Sequence, residues 1–394
     1  MNFDAQFFSK VKGHALQAES LPPACYTDPG FFAAERDAVF MKAWNFIGHD
    51  DQVKNPGDTL AFALAGVHVI VARGRDNVVR AFANTCRHRG CRLLKDGSTN
   101  LRAFKCGYHG WVYGLDGRLT GAPQMEYTKG FDKSQYGLIP VRLEQWGRFM
   151  FVNFDANAAP LRAQLGDLVD KLQSYNFDDM VLVRRREVEV ACNWKVYYEN
   201  LQEPYHTPYV HPNTLARKNE DEGATVMSGN SGLLLGEGGD NAPVKVEFGQ
   251  NYTSMVGRHV GSRGLLPGDE PFPPIKSLEG RTRDGSIWSY VYPATTMSCQ
   301  REGLWYVEIQ PLAVDRCKLV LGTCFPKETT ERADFAERVQ AYYKRLDITT
   351  EEDLDITQEQ QAGLSSPLAT PGRVCHLETM AHAFRSWLAN RMAA

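Results

Sequence analysis

Two short cysteine–histidine pairs constrain this chain more than anything else in it: Cys86-Arg87-His88 and Cys106-Gly107-Tyr108-His109. Each half supplies one thiolate and one imidazole, so the fold must bring two similar loops to one point. Glycines at Gly90, Gly107 and Gly110 supply the backbone freedom that such loops need around their sulfurs. Two centres accept this donor set. One is tetrahedral zinc. The other is a [2Fe–2S] cluster in which both Cys hold one iron and both His hold the other.

Zinc modules more often open with C-x₂₋₄-C and close with H-x₃₋₅-H, whereas here the two halves are alike. Neutral imidazole in place of thiolate leaves the cluster less negative and easier to reduce. Its potential lies roughly between −150 and +300 mV, against about −400 mV for an all-Cys ferredoxin. Such a centre takes electrons from a reductant and passes them to a stronger oxidant. The flanks Asn84-Thr85-Cys86-Arg87-His88-Arg89-Gly90 and Cys106-Gly107-Tyr108-His109-Gly110-Trp111-Val112-Tyr113, followed by Asp116-Gly117, resemble the Rieske domain of ring-hydroxylating oxygenases. A respiratory Rieske protein is a competing resemblance, because Cys91 follows Cys86 by five residues. In that group such a Cys pairs with another in the second loop, where this chain has Gly107 or Tyr108. Nor is there an apolar run of the ~20 residues that cross a bilayer. Cys91 is expected to be an ordinary buried thiol.

A length of 394 residues implies two or three domains. The net charge of −3 gives no electrostatic case for nucleic acid or an anionic membrane. Nine cysteines, an odd number and mostly scattered, fit reduced thiols in a cytoplasmic protein rather than a disulfide framework. No signal peptide is visible at Met1-Asn2-Phe3-Asp4-Ala5.

The pattern predicts a helix over 29–47 started by Asp28-Pro29, then short strands from about 55 to 154 that carry both ligand loops. Pro160 marks a boundary. Three regions follow: an N-terminal helical segment (1–45), a β-rich cluster domain (46–157) and a larger domain (158–394). In the last, helices are expected at 161–175 and 193–206. Strands are expected at 182–191, 286–292, 303–311 and 317–325. Closing helices are expected at 328–345, 351–364 and 377–389. A polar, Gly-rich section over 218–285 reads as an active-site cover. Its Gly236-Glu237-Gly238-Gly239 resembles a dinucleotide loop but lacks strand-to-helix context. The fold class is α+β: a β-rich cluster domain plus an antiparallel sheet covered by helices, of helix-grip type.

An electron carrier alone does not need the second domain. His206 and His211 are candidates for two legs of a 2-His-1-carboxylate triad for non-haem Fe(II). Five residues rotate about 140° on a straight helix, which would aim the pair apart. Pro208 and Pro212 argue for a break that turns them back together. The plain alternative is one capping His and one core His. An acidic run, Glu351-Glu352-Asp353-Leu354-Asp355, is the best source of the carboxylate.

The order of both motifs is similar to that of Rieske non-haem iron oxygenase α subunits across almost the whole chain. That resemblance implies Cys86, His88, Cys106 and His109 as cluster ligands, and His206, His211 and Asp353 as iron ligands, with Asp355 as the alternative. In the family an acidic residue precedes the aspartate ligand and a Gln follows about two turns later. The resemblance also implies that Glu203, one turn before His206, is the carboxylate linking the two centres across a subunit contact. Most members have Asp there; Glu is similar to the branch acting on quaternary ammonium compounds, although one extra methylene is also simple drift. The implied assembly is a homotrimer or a dimer of trimers fed by an NAD(P)H-dependent reductase, with or without a ferredoxin. The implied reaction consumes O2 to hydroxylate or demethylate a small aromatic or quaternary ammonium substrate. A Rieske electron-transfer protein without oxygenase activity is the alternative. Trp288, Tyr290, Tyr292, Trp305 and Tyr306 are candidates for an aromatic cage, or else strand core. Arg258 and Arg301 are candidate partners for a substrate carboxylate.

Overall fold

A computed structural model describes residues 3–215, 245–257, 262–266, 268–278 and 286–393. The chain divides into two compact units, Phe40–Leu161 and Met1–Val39 with Arg162–Ala394.

The first unit is built on strands β1 (Asn45–His49), β2 (Asp58–Leu64), β3 (Val67–Arg73), β4 (Val79–Ala83), β5 (Gly97–Asn100), β6 (Phe104–Lys105), β7 (Val112–Tyr113), β8 (Leu119–Gly121), β9 (Pro140–Trp146) and β10 (Phe149–Asn153). Seven form an antiparallel sheet in the order β1-β10-β9-β4-β3-β2-β5, and β6-β7-β8 form a small second sheet. In β3, Val69, Ile70, Val71 and Ala72 are all buried. Both faces are covered there, which is why the strand reads as an apolar run and not as an alternation. The first ligand loop follows β4, and the second connects β6 to β7.

In the second unit a short helix α1 (Pro29–Glu35) is capped by Asp28, whose carboxylate accepts from the Phe31 amide at 2.9 Å. The main sheet has β11 (Met180–Val190), β12 (Lys245–Phe248), β13 (Tyr252–Gly257), β14 (Ser286–Val291), β15 (Thr295–Cys299), β16 (Leu304–Ala313) and β17 (Arg316–Pro326). Its order is β11-β17-β16-β15-β14-β13-β12, antiparallel throughout. Helices α2 (Trp194–Leu201), α3 (Thr207–Val210), α4 (Phe335–Leu364) and α5 (Thr379–Met392) accompany it. Registers place Tyr290, Thr296 and Val307 in one cross-strand row and Trp288, Ser298 and Trp305 in another. Tyr306 points the other way, and only glycine fits opposite it: a Cβ on Gly322 would lie 2.0 Å from its ring. Among the described residues no helix is long and apolar enough to cross a membrane.

Several boundaries differ from the sequence expectation. The helix expected over 29–47 ends at Glu35, passes through one π turn at Arg36–Phe40 and gives way to β1. The helix expected over 161–175 is broken into short pieces, with Gly166 at φ +57° between the first two. The one expected over 193–206 stops at Leu201, because Pro204 disfavours helical backbone in the residue before it. Those expected over 328–345 and 351–364 are one helix from Phe335 to Leu364. The section 218–285 contains β12 and β13; most of the remainder, with Gly236–Gly239 and Arg258, lies outside the described residues.

Helix α2 carries two buried charges on the face turned toward the terminal helices. Lys195 Nζ meets Glu35 Oε1 at 2.7 Å and lies over the rings of Tyr26, Phe31 and Trp194. One turn on, Glu199 Oε2 accepts from Arg385 Nε at 2.7 Å, and its other oxygen accepts from the Tyr26 hydroxyl at 2.8 Å. Breaking a buried pair strands a charge. Arg385→Met is expected to lower unfolding stability by about 3–5 kcal/mol, measured by denaturant titration of the purified protein.

Candidate metal centres

The two cysteine loops share one backbone frame. The Cys86 carbonyl accepts from the Gly90 amide at 3.0 Å, and the Cys106 carbonyl from the Gly110 amide at 3.1 Å. The Cys86 amide donates to the Cys91 carbonyl, and the Cys106 amide to that of Trp111, both at 2.8 Å. Gly90 and Gly110 stand at φ +73° and +71°, a left-handed turn that a side chain would strain. Asn84 holds the first loop's return: its amide oxygen accepts from the Leu93 and Leu94 amides at 3.0 Å each.

The four donors are segregated. Cys86 and Cys106 are 2 % exposed, whereas His88 and His109 stand at the surface. The two imidazoles lie 4.6 Å apart between centroids, and His88 stacks on Trp111 at 5.0 Å and 12°. Burial raises the Cys106 pKa, but the Tyr108 and His109 amides, with the Cys86 and Cys91 thiols, outweigh it and favour the thiolate. The Tyr113 hydroxyl lies 3.2 Å from Cys86 Sγ. Partial desolvation, then His88 and Arg89, keep the His109 imidazole toward its neutral form. Anionic sulfur inside and neutral nitrogen outside is the donor chemistry of a mixed-ligand [2Fe–2S] cluster. Cys91, expected to be buried, is half-buried beside these sulfurs, and desolvation and then Cys106 push its pKa up.

The second group lies in the helical layer. His206 is the N-cap of α3 and His211 its C-cap, so a four-residue helix separates them. The break expected between them is there, and their ring centroids are 5.2 Å apart. Asp353 of α4 meets both: its Oδ1 lies 3.1 Å from His211 Nε2 and 3.7 Å from His206 Nε2. Asp355, the alternative, is exposed. Asn200 at the end of α2 donates to the same Oδ1 at 2.9 Å.

Each imidazole is held from behind by a carboxylate. His206 Nδ1 lies 2.5 Å from Glu203 Oε1, and His211 Nδ1 lies 2.7 Å from Glu352 Oε2. Glu352 also accepts from the Thr214 hydroxyl at 2.6 Å. A carboxylate on Nδ1 fixes the tautomer that turns the Nε2 lone pair inward, the usual support of a histidine metal ligand. Two inward Nε2 atoms and one carboxylate, all within 4.8 Å, fit a divalent iron with open positions. A second acidic group, His49, Asp50 and Asp51, fits a metal poorly, because Arg148 reaches both acids at 2.8 Å.

The triad opens into a cavity of about 720 Å³, counting the part continuous with solvent. Trp288, Tyr290 and Trp305 line it, as do Tyr197, Thr296 and Arg345. Of the cage candidates, Tyr292 instead packs on Phe384 and Trp387, and Tyr306 lies in the core behind the sheet. Arg301 is not among the cavity residues. Sequence reasoning did not single out Thr296 or Arg345. The only signal for Glu352 was its place before Asp353.

Two iron centres of different kinds, a two-iron cluster in a two-loop fold and a single iron in a helix-grip domain, define an oxygenase built from a Rieske domain and a mononuclear iron domain. Residues 43–132 match the Rieske [2Fe–2S] domain, and residues 177–394 match the ring hydroxylating alpha subunit catalytic domain. The chain belongs to the ring-hydroxylating oxygenase α-subunit family, and carries a [2Fe–2S] cluster and a mononuclear iron. It is 28% identical over 383 residues to the chloroplastic choline monooxygenase of Atriplex hortensis, covering 95% of this chain and 78% of that protein. The carnitine monooxygenase oxygenase subunit of Escherichia coli K12 is 34% identical over 222 residues, 56% of this chain and 59% of that one. The fold is shared with a quaternary ammonium Rieske monooxygenase, CntA, solved with γ-butyrobetaine (TM-score 0.76, 23% identity, 99% of both chains). It is shared equally with a naphthalene 1,2-dioxygenase (TM-score 0.76, 21% identity, 100% and 96%).

Burial pulls the His211 imidazole toward neutrality, but Asp353 and then Glu352 outweigh it and hold its pKa above the ordinary 6.5. A pKa raised by folding stabilises the fold fully below the unfolded value, and this contribution is lost as pH rises through the folded value. The metal-free protein is therefore expected to lose stability as pH climbs from about 6.5. Asp353→Asn should flatten that slope in denaturation midpoints measured across the same range.

Proposed function

We propose that this chain is the terminal component of a monooxygenase acting on a quaternary ammonium compound. The carrying observation is the aromatic lining of Trp288, Tyr290 and Trp305 in the cavity that the triad faces. Aromatic faces hold a cation that cannot donate hydrogen bonds, at about 0.5–2 kcal/mol per contact. The trimethylammonium substrates of the choline and carnitine relatives agree with this, as does Glu203.

We assign Cys86, His88, Cys106 and His109 to the cluster, and His206, His211 and Asp353 to the iron. When bound, these groups supply electron storage and activation of dioxygen. The chain's own residues then do the following. Glu203 and Glu352 hold the two imidazoles with Nε2 inward. Asn200 holds Asp353. The aromatic walls hold the ammonium group and exclude water. Overall, one substrate C–H, O2, two electrons and two protons become C–OH and water; hydroxylation on an N-methyl or adjacent carbon releases the amine. The electrons come from a separate NAD(P)H-dependent reductase. Glu203, tied to His206, is the group through which we link the iron to a cluster imidazole of a neighbouring copy, in a homotrimer or dimer of trimers. None of the nine cysteines is in a disulfide, which supports a reducing, cytoplasmic setting.

Oxygen consumption with a reductase present, across trimethylammonium compounds and aromatic acids, tests the reading; turnover of aromatic acids alone would sink it. Asp353→Ala is expected to lose the mononuclear iron and keep the cluster, read by iron content and the visible spectrum. Glu203→Gln is expected to keep both centres while turnover falls about 10- to 100-fold, measured as substrate-dependent oxygen uptake.

A further inference from the structure

Two thiols outside the cluster loops lie against each other. Cys192 Sγ and Cys317 Sγ are 3.9 Å apart, and both residues are fully buried. Cys317 stands near the start of β17, where it pairs with Val190 of β11, and Cys192 follows two residues after that partner. The next residue, Asn193, caps α2: its side-chain oxygen accepts from the Lys195 amide at 3.0 Å. The thiol pair therefore sits at the root of the helix that carries Tyr197.

Tyr197 connects this pair with the triad cavity. It lines that cavity together with Asp353 and is 2 % exposed. Burial, then Asp353, then Cys317 and Cys192 push its pKa up, so the phenol lies in the field of the triad carboxylate and of both thiols. It keeps its proton. Cys317 keeps its own, held first by the Cys192 thiol and then by burial. Buried, protonated thiols are poor nucleophiles toward oxidants in solution. A phenol O–H and a thiol S–H are nonetheless good hydrogen-atom donors. A phenol in the cavity wall with two touching thiols behind it is a path along which electrons reach that cavity one at a time.

We propose that Tyr197 and the Cys192–Cys317 pair form a reducing outlet for the iron site, which discharges an oxidant that has met no substrate. The oxidant is hydrogen peroxide, either added or made by two-electron reduction of O2. Tyr197 passes on two electrons and two protons, one of each at a time, and the thiols replace them. Two S–H bonds break and one S–S bond forms, while the peroxide O–O bond breaks and yields two waters. The sulfurs close from 3.9 Å to a bond length of about 2.05 Å, a movement of about 1 Å each. The outlet rests on the assignment of iron to His206, His211 and Asp353 and is independent of which substrate the cavity takes.

The test exposes oxidised holoenzyme, without reductase or substrate, to hydrogen peroxide. The protein is then quenched in acid, alkylated and digested, and peptide mass spectrometry reads the Cys192–Cys317 cross-link against the alkylated thiols. Iron-loaded wild type is expected to lose both labels and gain the cross-link. Wild type with zinc in the mononuclear site should keep both labels, and so should iron-loaded Tyr197→Phe. Cys192→Ala and Cys317→Ala, each checked for folding by the visible spectrum of the cluster, should instead gather oxidation on Tyr197 in the same digest. Iron-loaded wild type that keeps both thiols overturns the proposal. Equal cross-linking with iron and with zinc also overturns it, since peroxide then attacks the thiols directly, and so does cross-linking of Tyr197→Phe at the wild-type rate. Each of these results leaves the quaternary ammonium reading standing. A wild type that takes up no mononuclear iron overturns the outlet and the metal assignment together.

Discussion

The register between α2 and α4 is the constraint on which the candidate iron site depends. Two side-chain bonds set it. At one end Asn200 donates to Asp353; at the other Gln361 accepts from the Asn193 amide at 2.9 Å. The partners are seven residues apart on α2's side and eight on α4, as antiparallel helices in contact require. A slip of one residue would turn Asp353 by about 100° and shift it about 1.5 Å. That would leave the two imidazoles without their carboxylate. The rotation of α2 is fixed from behind as well, because Lys195 and Glu199 are committed to Glu35 and Arg385. Buried charges are a costly way to hold a helix. They tolerate only one orientation, and that specificity is what a site assembled from distant segments needs.

The cluster site is solved differently. Its donors come from two loops of the same form, each closed by a hydrogen bond from the residue four positions on and by a second bond to the residue five positions on. Little long-range register is involved. The local turn decides where each sulfur sits, and the surrounding core of Phe104, Trp111, Tyr113 and Leu138 keeps the sulfur side dry. The imidazole side is left at the surface, where a donor or acceptor protein can approach.

This contrast explains what the sequence disclosed. The two cysteine–histidine loops are legible because their geometry is written in adjacent residues. His206 and His211 are half legible: five residues on a helix predict divergence, and the prolines signal the break that corrects it. Asp353 against Asp355 cannot be decided from an acidic run, since burial chooses and burial is tertiary. The long α4 was expected as two helices; between them lies Ile348-Thr349-Thr350, a β-branched run that disfavours helix. In the fold the hydroxyls of Thr349 and Thr350 bond back to the carbonyls of Arg345 and Leu346, and the helix continues. Arg345 and Thr296 carry no local signal at all. They matter only because a helix and a strand separated by some fifty residues face one cavity.

The cavity takes its character from the same assembly. Three carboxylates, from Glu203, Glu352 and Asp353, gather at the imidazole end. A divalent ion there offsets two of those charges, so the end stays weakly negative and hospitable to an ammonium group. The aromatic side chains of Trp288, Tyr290 and Trp305 bound the same space. A ligand seated between them gives up orientational freedom on binding, which lowers the entropy still to be lost before a particular C–H bond faces the iron. Selectivity among C–H bonds of similar strength then follows from the shape and charge of this cavity, and not from the chemistry of oxygen activation.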